Sequence, residues 1–161
     1  MIQEIRPLLN LILIHSTLPQ NILIIICFVC INSATYAFTA LSLVGKGLSE
    51  INDQIQRYEH IRDLDLSGNK LPSVDKLRNL KWLQSLTARD NKIELCHLLS
   101  ETKAQLCFLT SIDLAGNKIQ KLRPILARKL QRAVLDNNVI NEVDFSAKGH
   151  DELKFLSMNK N

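Results

Sequence analysis

The chain is poor in aromatic residues (5%) and holds only five glycines, four prolines, four cysteines and a single Trp among 161 residues. Each scarcity excludes something. There is no glycine-rich phosphate loop and no nucleophile elbow. The cysteines fall as Cys27 with Cys30 and Cys96 with Cys107, and form no framework of flanking disulfides, which points to a reduced, intracellular protein. Cys27-x-x-Cys30 has redox or half-zinc spacing, yet it lies in an isoleucine-rich run without a second ligand pair. Cys96-His97 with Cys107 lacks a fourth ligand at finger-like spacing; both thiols are expected to pack in a return layer, with His97 outside. His15, His60 and His150 are scattered. No enzyme activity, cofactor or metal is expected. The formal charge of +4 is too mild to suggest nucleic acid.

Residues 1–37 stand apart. Ile22–Ile31 is an unbroken apolar run, preceded by Leu11–Ile14, with Pro19, Gln20 and Asn21 between them. A span needs about 20 mainly apolar residues. A signal peptide needs a basic start and one short core, whereas Arg6 is balanced by Glu4. Signal or anchor, apolar cap, and an extension outside the working protein all remain open.

From Phe38 onward the chain is abundant in leucine, and the leucines keep time. Ile61-x-x-Leu64-x-Leu66-x-x-Asn69 is followed by Leu83, Leu86, Ala88 and Asn91. The pattern returns as Leu109, Ile112, Leu114, Asn117; as Leu130, Ala133, Leu135, Asn138; and as Leu153, Leu156, Met158, Asn161. The asparagines stand 22, 26, 21 and 23 residues apart. That register is the leucine-rich-repeat signature. It predicts an α/β solenoid of about six turns over residues 38–161, with the last repeat incomplete. Phe38, Leu41 and Leu43 open a first, atypical turn in which Lys46 replaces the Asn.

Parallel strands are expected on the concave face, and short helical or 3₁₀ return segments on the convex face. Alternation puts Leu64 and Leu66 inside and Asp63, Asp65 and Ser67 outside. Asn69, Asn91, Asn117, Asn138 and Asn161 should form a ladder that satisfies backbone groups of adjacent turns. Leu71, Val74, Leu77 and Leu80 are spaced by three, as are Ile119, Leu122 and Ile125, which predicts 3₁₀ or helical turns. Pro72 and Pro124 suit the starts of such turns. The long return, residues 93–109, should carry a short helix. The last turn would leave its apolar side open, so a continuation or a neighbouring subunit is expected to cover it.

The outward strand positions are the candidate binding surface. They are Asp63, Asp65, Ser67, Ser85, Thr87, Arg89, Ser111, Asp113, Ala115, Arg132, Val134, Asp136, Phe155, Ser157 and Asn159. The acids dominate the first part, with Arg89 and Arg132 as counter-charges. Stacked repeats make such faces extended binding surfaces. A basic stretch through Lys118, Lys121, Arg123, Arg128, Lys129 and Arg132 is either a dock for an acidic partner or an ordinary solvated edge, the latter favoured. Trp82 is expected at the edge of the core rather than as an exposed anchor.

The period resembles the short intracellular repeats of the protein-phosphatase regulatory subunit and the outer-arm dynein light chain. Ala37-Phe38-x-x-Leu41-x-Leu43, Gly47-Leu48-x-x-Ile51 and Tyr58-x-x-Ile61-Arg62-x-Leu64-Asp65-Leu66-Ser67-x-Asn69 look more like the leucine-rich-repeat protein of ciliary radial spokes. The similarity continues through Leu77-x-x-Leu80-x-x-Leu83 and Ala88-x-x-Asn91. It covers about a third of the chain, and its leucines are common to all such repeats. This family has an acidic N-terminus and further repeats, which this sequence does not show. The resemblance implies a non-catalytic scaffold of the axoneme with protein partners, held in a larger hetero-complex, with no nucleic acid and no membrane partner expected. The alternatives are a phosphatase-regulatory subunit and a membrane-anchored or secreted recognition receptor.

Overall fold

The computed structural model describes residues 28–31, 35–52, 55, 58, 60–94, 106–123, 127–144 and 152–161, and for 28–38 the backbone alone. Three-residue strands recur wherever the repeat places its inward apolar pair. They are β3 (Ala40–Ser42), β4 (Asp63–Asp65), β5 (Ser85–Thr87), β6 (Ser111–Asp113), β8 (Arg132–Val134) and β10 (Phe155–Ser157). They form one six-stranded parallel sheet in chain order. Leu41, Leu64, Leu86, Ile112, Ala133 and Leu156 lie opposite one another along it. A one-residue slip would turn that whole row outward, so the apolar pattern fixes the register.

Behind the sheet the repeat leucines make one core. Ile61, Leu66, Leu83, Leu86, Leu109, Leu114, Leu130 and Leu135 are wholly buried. Among the described residues four turns each carry a strand, buried repeat positions and a buried Asn. The two ends are partial, against the six turns expected. In the first, Leu41, Leu43 and Ile51 are buried and Lys46 takes the ladder position without its amide. In the last, Leu153, Leu156 and Met158 are only partly buried.

The returns are not alike. Val74, Leu77 and Leu80 are buried around a 3₁₀ helix at Asp75–Asn79, as their spacing predicts. Ile119 and Leu122 are buried too, but through extended backbone. Lys121–Leu122 is β7, paired in parallel with β9 (Glu142–Val143) in a second, two-stranded sheet. Spacing by three permits both outcomes. Here the amides of Val139 and Asn141 donate to the carbonyls of Ile119 and Gln120, at 3.1 and 3.0 Å. Neighbouring turns therefore satisfy each other's backbone where a 3₁₀ turn would satisfy its own. Lys121 pairs with Glu142 across these strands, and this bond draws the Glu142 carboxyl below its ordinary range.

A separate antiparallel pair precedes the solenoid: β1 (Phe28–Ile31) against β2 (Thr35–Phe38). Phe38 lies opposite Phe28 there, and the parallel sheet begins two residues later. The rest of the N-terminal runs, Cys27, Cys96, His97, Pro124, Ile125 and the expected helix in the long return lie outside the described residues. Among the described residues no helix is long and apolar enough to cross a membrane.

Candidate binding face

The Asn ladder is what locks one turn to the next. Asn91 Nδ2 donates to the carbonyls of Leu66 in the previous turn and Ala88 in its own, while its Oδ1 accepts from the Leu71 amide at 3.0 Å. Asn69, Asn117 and Asn138 repeat this scheme. All four are buried, and among the described residues no buried side-chain polar atom lacks a partner. Asn161 keeps the pattern at longer range, donating to Leu135 O at 3.1 Å and accepting from Ile140 N at 3.2 Å, but in solvent.

One column escaped the reading from sequence. The residue before each ladder position adopts a left-handed backbone: Gly45, Gly68, Asp90, Gly116, Asn137 and Lys160, with φ between 52° and 69°. The amides of the first five donate to the next turn, as from Gly68 to Arg89 O at 2.9 Å. Glycine, Asp and Asn tolerate this conformation, and their recurrence one place before the Asn was the available signal.

The sheet's outer face carries three columns. The first runs Asp63, Ser85, Ser111, Arg132, Phe155, and the second Asp65, Thr87, Asp113, Val134, Ser157, both fixed by the strand register. The third is Ser67, Arg89, Ala115, Asp136, Asn159, at the strand ends. Val134 is a correction: it keeps its place on the outer face but is only 5% exposed, covered by its neighbours there, so it offers little contact surface.

The acids divide by role. Asp65 Oδ1 accepts the Ser67 amide at 2.9 Å, and Asp113 Oδ1 accepts the Ala115 amide at 3.2 Å. Both cap the strand end two residues on, a local use of Asp. Asp136 Oδ1 accepts from Ser157 Oγ at 2.7 Å and from the Asn159 amide at 2.6 Å. The Ser157 hydroxyl first, and then the Asn159 amide, hold its carboxyl below the usual range. Asp63 is the exposed acid of the first column.

The counter-charges also divide. Arg89 donates Nε and Nη2 to Asp113 Oδ2, at 2.8 and 2.5 Å. That hydrogen bond, and then the Asp113 charge, raise the Arg89 guanidinium above its ordinary value. Among the described residues Arg132 meets no acid, and its guanidinium lies 4.1 Å from the centre of the Phe155 ring. Phe155 is 44% exposed. At the other end, Ala40, Ser42, Asp63, Asp65, Ser85 and Thr87 line an open depression of about 290 Å³. Small side chains on β3 and β5 leave this space, and the β4 acids border it. The face is therefore acidic at its start and cationic and aromatic at its end.

Two further expectations are overturned. Trp82 is 46% exposed, stacked on Phe108 with ring centres 5.0 Å apart, and is not a core-edge residue. Cys107 is an exposed free thiol, because the turn that carries it points outward. Among the described residues, no group of three or more His, Cys, Asp or Glu could hold a metal ion.

No family model matches this chain, and no curated protein is similar to it. Solved structures are. A chain of the Drosophila melanogaster SNF/U2A' complex superposes with a TM-score of 0.53 at 26% identity, over 63% of this chain and 59% of that one. A chain of the TLR13–ssRNA13 complex superposes with a TM-score of 0.50 at 23% identity, over 74% of this chain and 21% of that one. This chain thus spans about three fifths of the first neighbour's length and a fifth of the second's. The fold is a leucine-rich-repeat solenoid with its parallel strands on the concave face.

Proposed function

We propose that this protein is a non-catalytic scaffold that takes a protein partner on its concave face. The polarity of that face carries the reading. Asp63 and the 290 Å³ depression at one end suit a basic or small polar side chain. Arg132 and the exposed Phe155 at the other end suit an acidic or aromatic one. Arg89 and Asp113 neutralise each other between them. A charge-ordered surface of this kind sets the direction in which a partner lies. The Drosophila neighbour is described as part of a complex, which agrees with a binding role.

The setting we propose is the ciliary axoneme, at the radial spoke, in the cytoplasm-facing structure of the cilium or flagellum. Support comes from the resemblance in the opening repeats, through Ala37-Phe38, Gly47-Leu48 and the Tyr58–Asn69 segment. Fractionation tests it. The protein should remain with axonemes after detergent extraction and leave with spoke components at high salt. Co-purification with a phosphatase catalytic subunit instead would favour the regulatory reading, and retention in the detergent phase a membrane-anchored one. Asp63→Lys and Phe155→Ala should each weaken partner capture about tenfold or more while leaving the fold intact.

A further inference from the structure

A reverse turn recurs ahead of the strands. The amides of Ile61, Leu83, Leu109 and Leu130 donate to the carbonyls three residues earlier, those of Tyr58, Leu80, Leu106 and Ala127, at 3.1, 3.0, 3.2 and 2.9 Å. Each turn carries two central residues at its tip. The second of these are His60, Trp82, Phe108 and Lys129. The strands that follow are in register about 4.8 Å apart, so the tips stand in a row along one edge of the solenoid. Trp82 and Phe108 are stacked, 18° from parallel, and Lys129 Nζ lies 4.8 Å from the Phe108 ring centre. The core does not need the indole: Leu83 behind it is wholly buried, while Trp82 is 46% exposed.

The first central residues add charge. Lys81 and Arg128 are exposed, as is Lys129. The acids next to these positions in sequence, Glu59 and Glu152, belong to the first and last turns, and none stands in the turns of Trp82, Phe108 and Lys129. An aromatic stack flanked by three cations asks for an occupant that is both planar and anionic. A strand of nucleotides meets both conditions through its bases and phosphates. An acidic peptide meets only the second.

We propose that this row of turn tips binds a single-stranded nucleic acid, with a base on the face of Trp82 opposite Phe108 and phosphates on Lys81, Arg128 and Lys129. The surface lies on the edge of the solenoid, apart from the outer face of the sheet, and the proposal does not rest on the protein-binding reading. Three neutralised phosphates give a log–log salt dependence with a slope of about −2. Affinity is in the non-specific range, about 1–100 μM at physiological salt.

Trp82 is the only tryptophan, so intrinsic fluorescence reports directly on its face. The full chain is titrated with a 15-residue oligouridylate at low salt. Saturable quenching with a slope near −2 is expected, and oligothymidylate should behave alike because no base edge or 2′-hydroxyl is read. By anisotropy of the labelled strand, Trp82→Ala and the double variant Arg128→Glu/Lys129→Glu should each weaken binding about tenfold or more. Trp82→Tyr should retain it, and Lys92→Glu, beyond the ladder on the other edge, should change it less than twofold. All these side chains are exposed, and unchanged thermal midpoints check that each variant folds. Absence of quenching, or binding that survives the double charge reversal, overturns the proposal. Equal binding of a 15-residue polyglutamate also overturns it, in favour of an acidic protein segment. Loss of the concave-face partner has no bearing on any of these readouts.

Discussion

Among single residues, the buried asparagines carry the highest stakes. Removing the Asn117 amide strands the buried Ile93 amide and loosens the carbonyls of Ala88 and Leu114. Asn117→Ala should therefore cost about 2–4 kcal/mol, since an orphaned buried donor costs about 1–3 kcal/mol beyond the lost bonds. Asn161→Ala, in solvent, should cost less than about 1 kcal/mol. Urea denaturation of the two variants checks this, and equal losses would mean that the ladder is not what holds the turns together. The left-handed column makes a paired prediction. Gly116→Ala should destabilise by about 1–2 kcal/mol, because φ is +69° and an added Cβ would press on the Asp90 carboxylate. Asp90→Gly, at φ 52°, should be neutral or stabilising by the same measurement.

Asp136 gives a pH dependence at this scale. Its folded-state pKa is depressed by Ser157 and Asn159 below the ordinary 3.8. The carboxylate thus contributes fully above that value, and its contribution fades as pH falls through the depressed one. The Asn159 amide resonance should titrate with a midpoint below 3.8, and a midpoint at or above it would contradict the hydrogen bonds assigned here. Asp65 also revises an expectation. A purely exposed acid would be replaceable at under about 0.5 kcal/mol. Because Asp65 caps the Ser67 amide, Asp65→Ala should cost about 1 kcal/mol, and it tests stability and binding together.

For the elements, burial sorts the repeats. Leu114 is wholly buried between two complete turns, so Leu114→Ala should cost about 2–5 kcal/mol. Leu156→Ala, in the partial last turn, should cost less than half as much, because Leu156 is only partly buried against the core. Thermal or urea melts of both variants settle the order. The strands were legible because each needs only a three-residue alternation, Asp63-Leu64-Asp65 being the plainest. The returns were not. Ile119 and Leu122 are spaced by three, as are Val74, Leu77 and Leu80, yet the first segment pairs as β7 and the second winds as a 3₁₀ helix. The choice depends on whether the next turn presents a matching backbone, which no local pattern records.

For the whole molecule, stacking makes surfaces out of columns. The sequence named the columns of the concave face but could not divide them. Asp65 and Asp113 proved to be strand-end caps, Val134 a covered position of the outer face, and Arg132 a partner of the Phe155 ring. Trp82, expected at the edge of the core, stands 26 residues from Phe108 in the chain, and only the stacking of the turns brings the two rings into contact. The sequence by itself determined the fold, the register and the ladder, because each depends on a residue type recurring at a fixed interval in every turn. Only the tertiary structure decided which polar groups face a partner and which serve the chain. That division rests on distances between turns, and a repeat fixes their order but not what each side chain meets there.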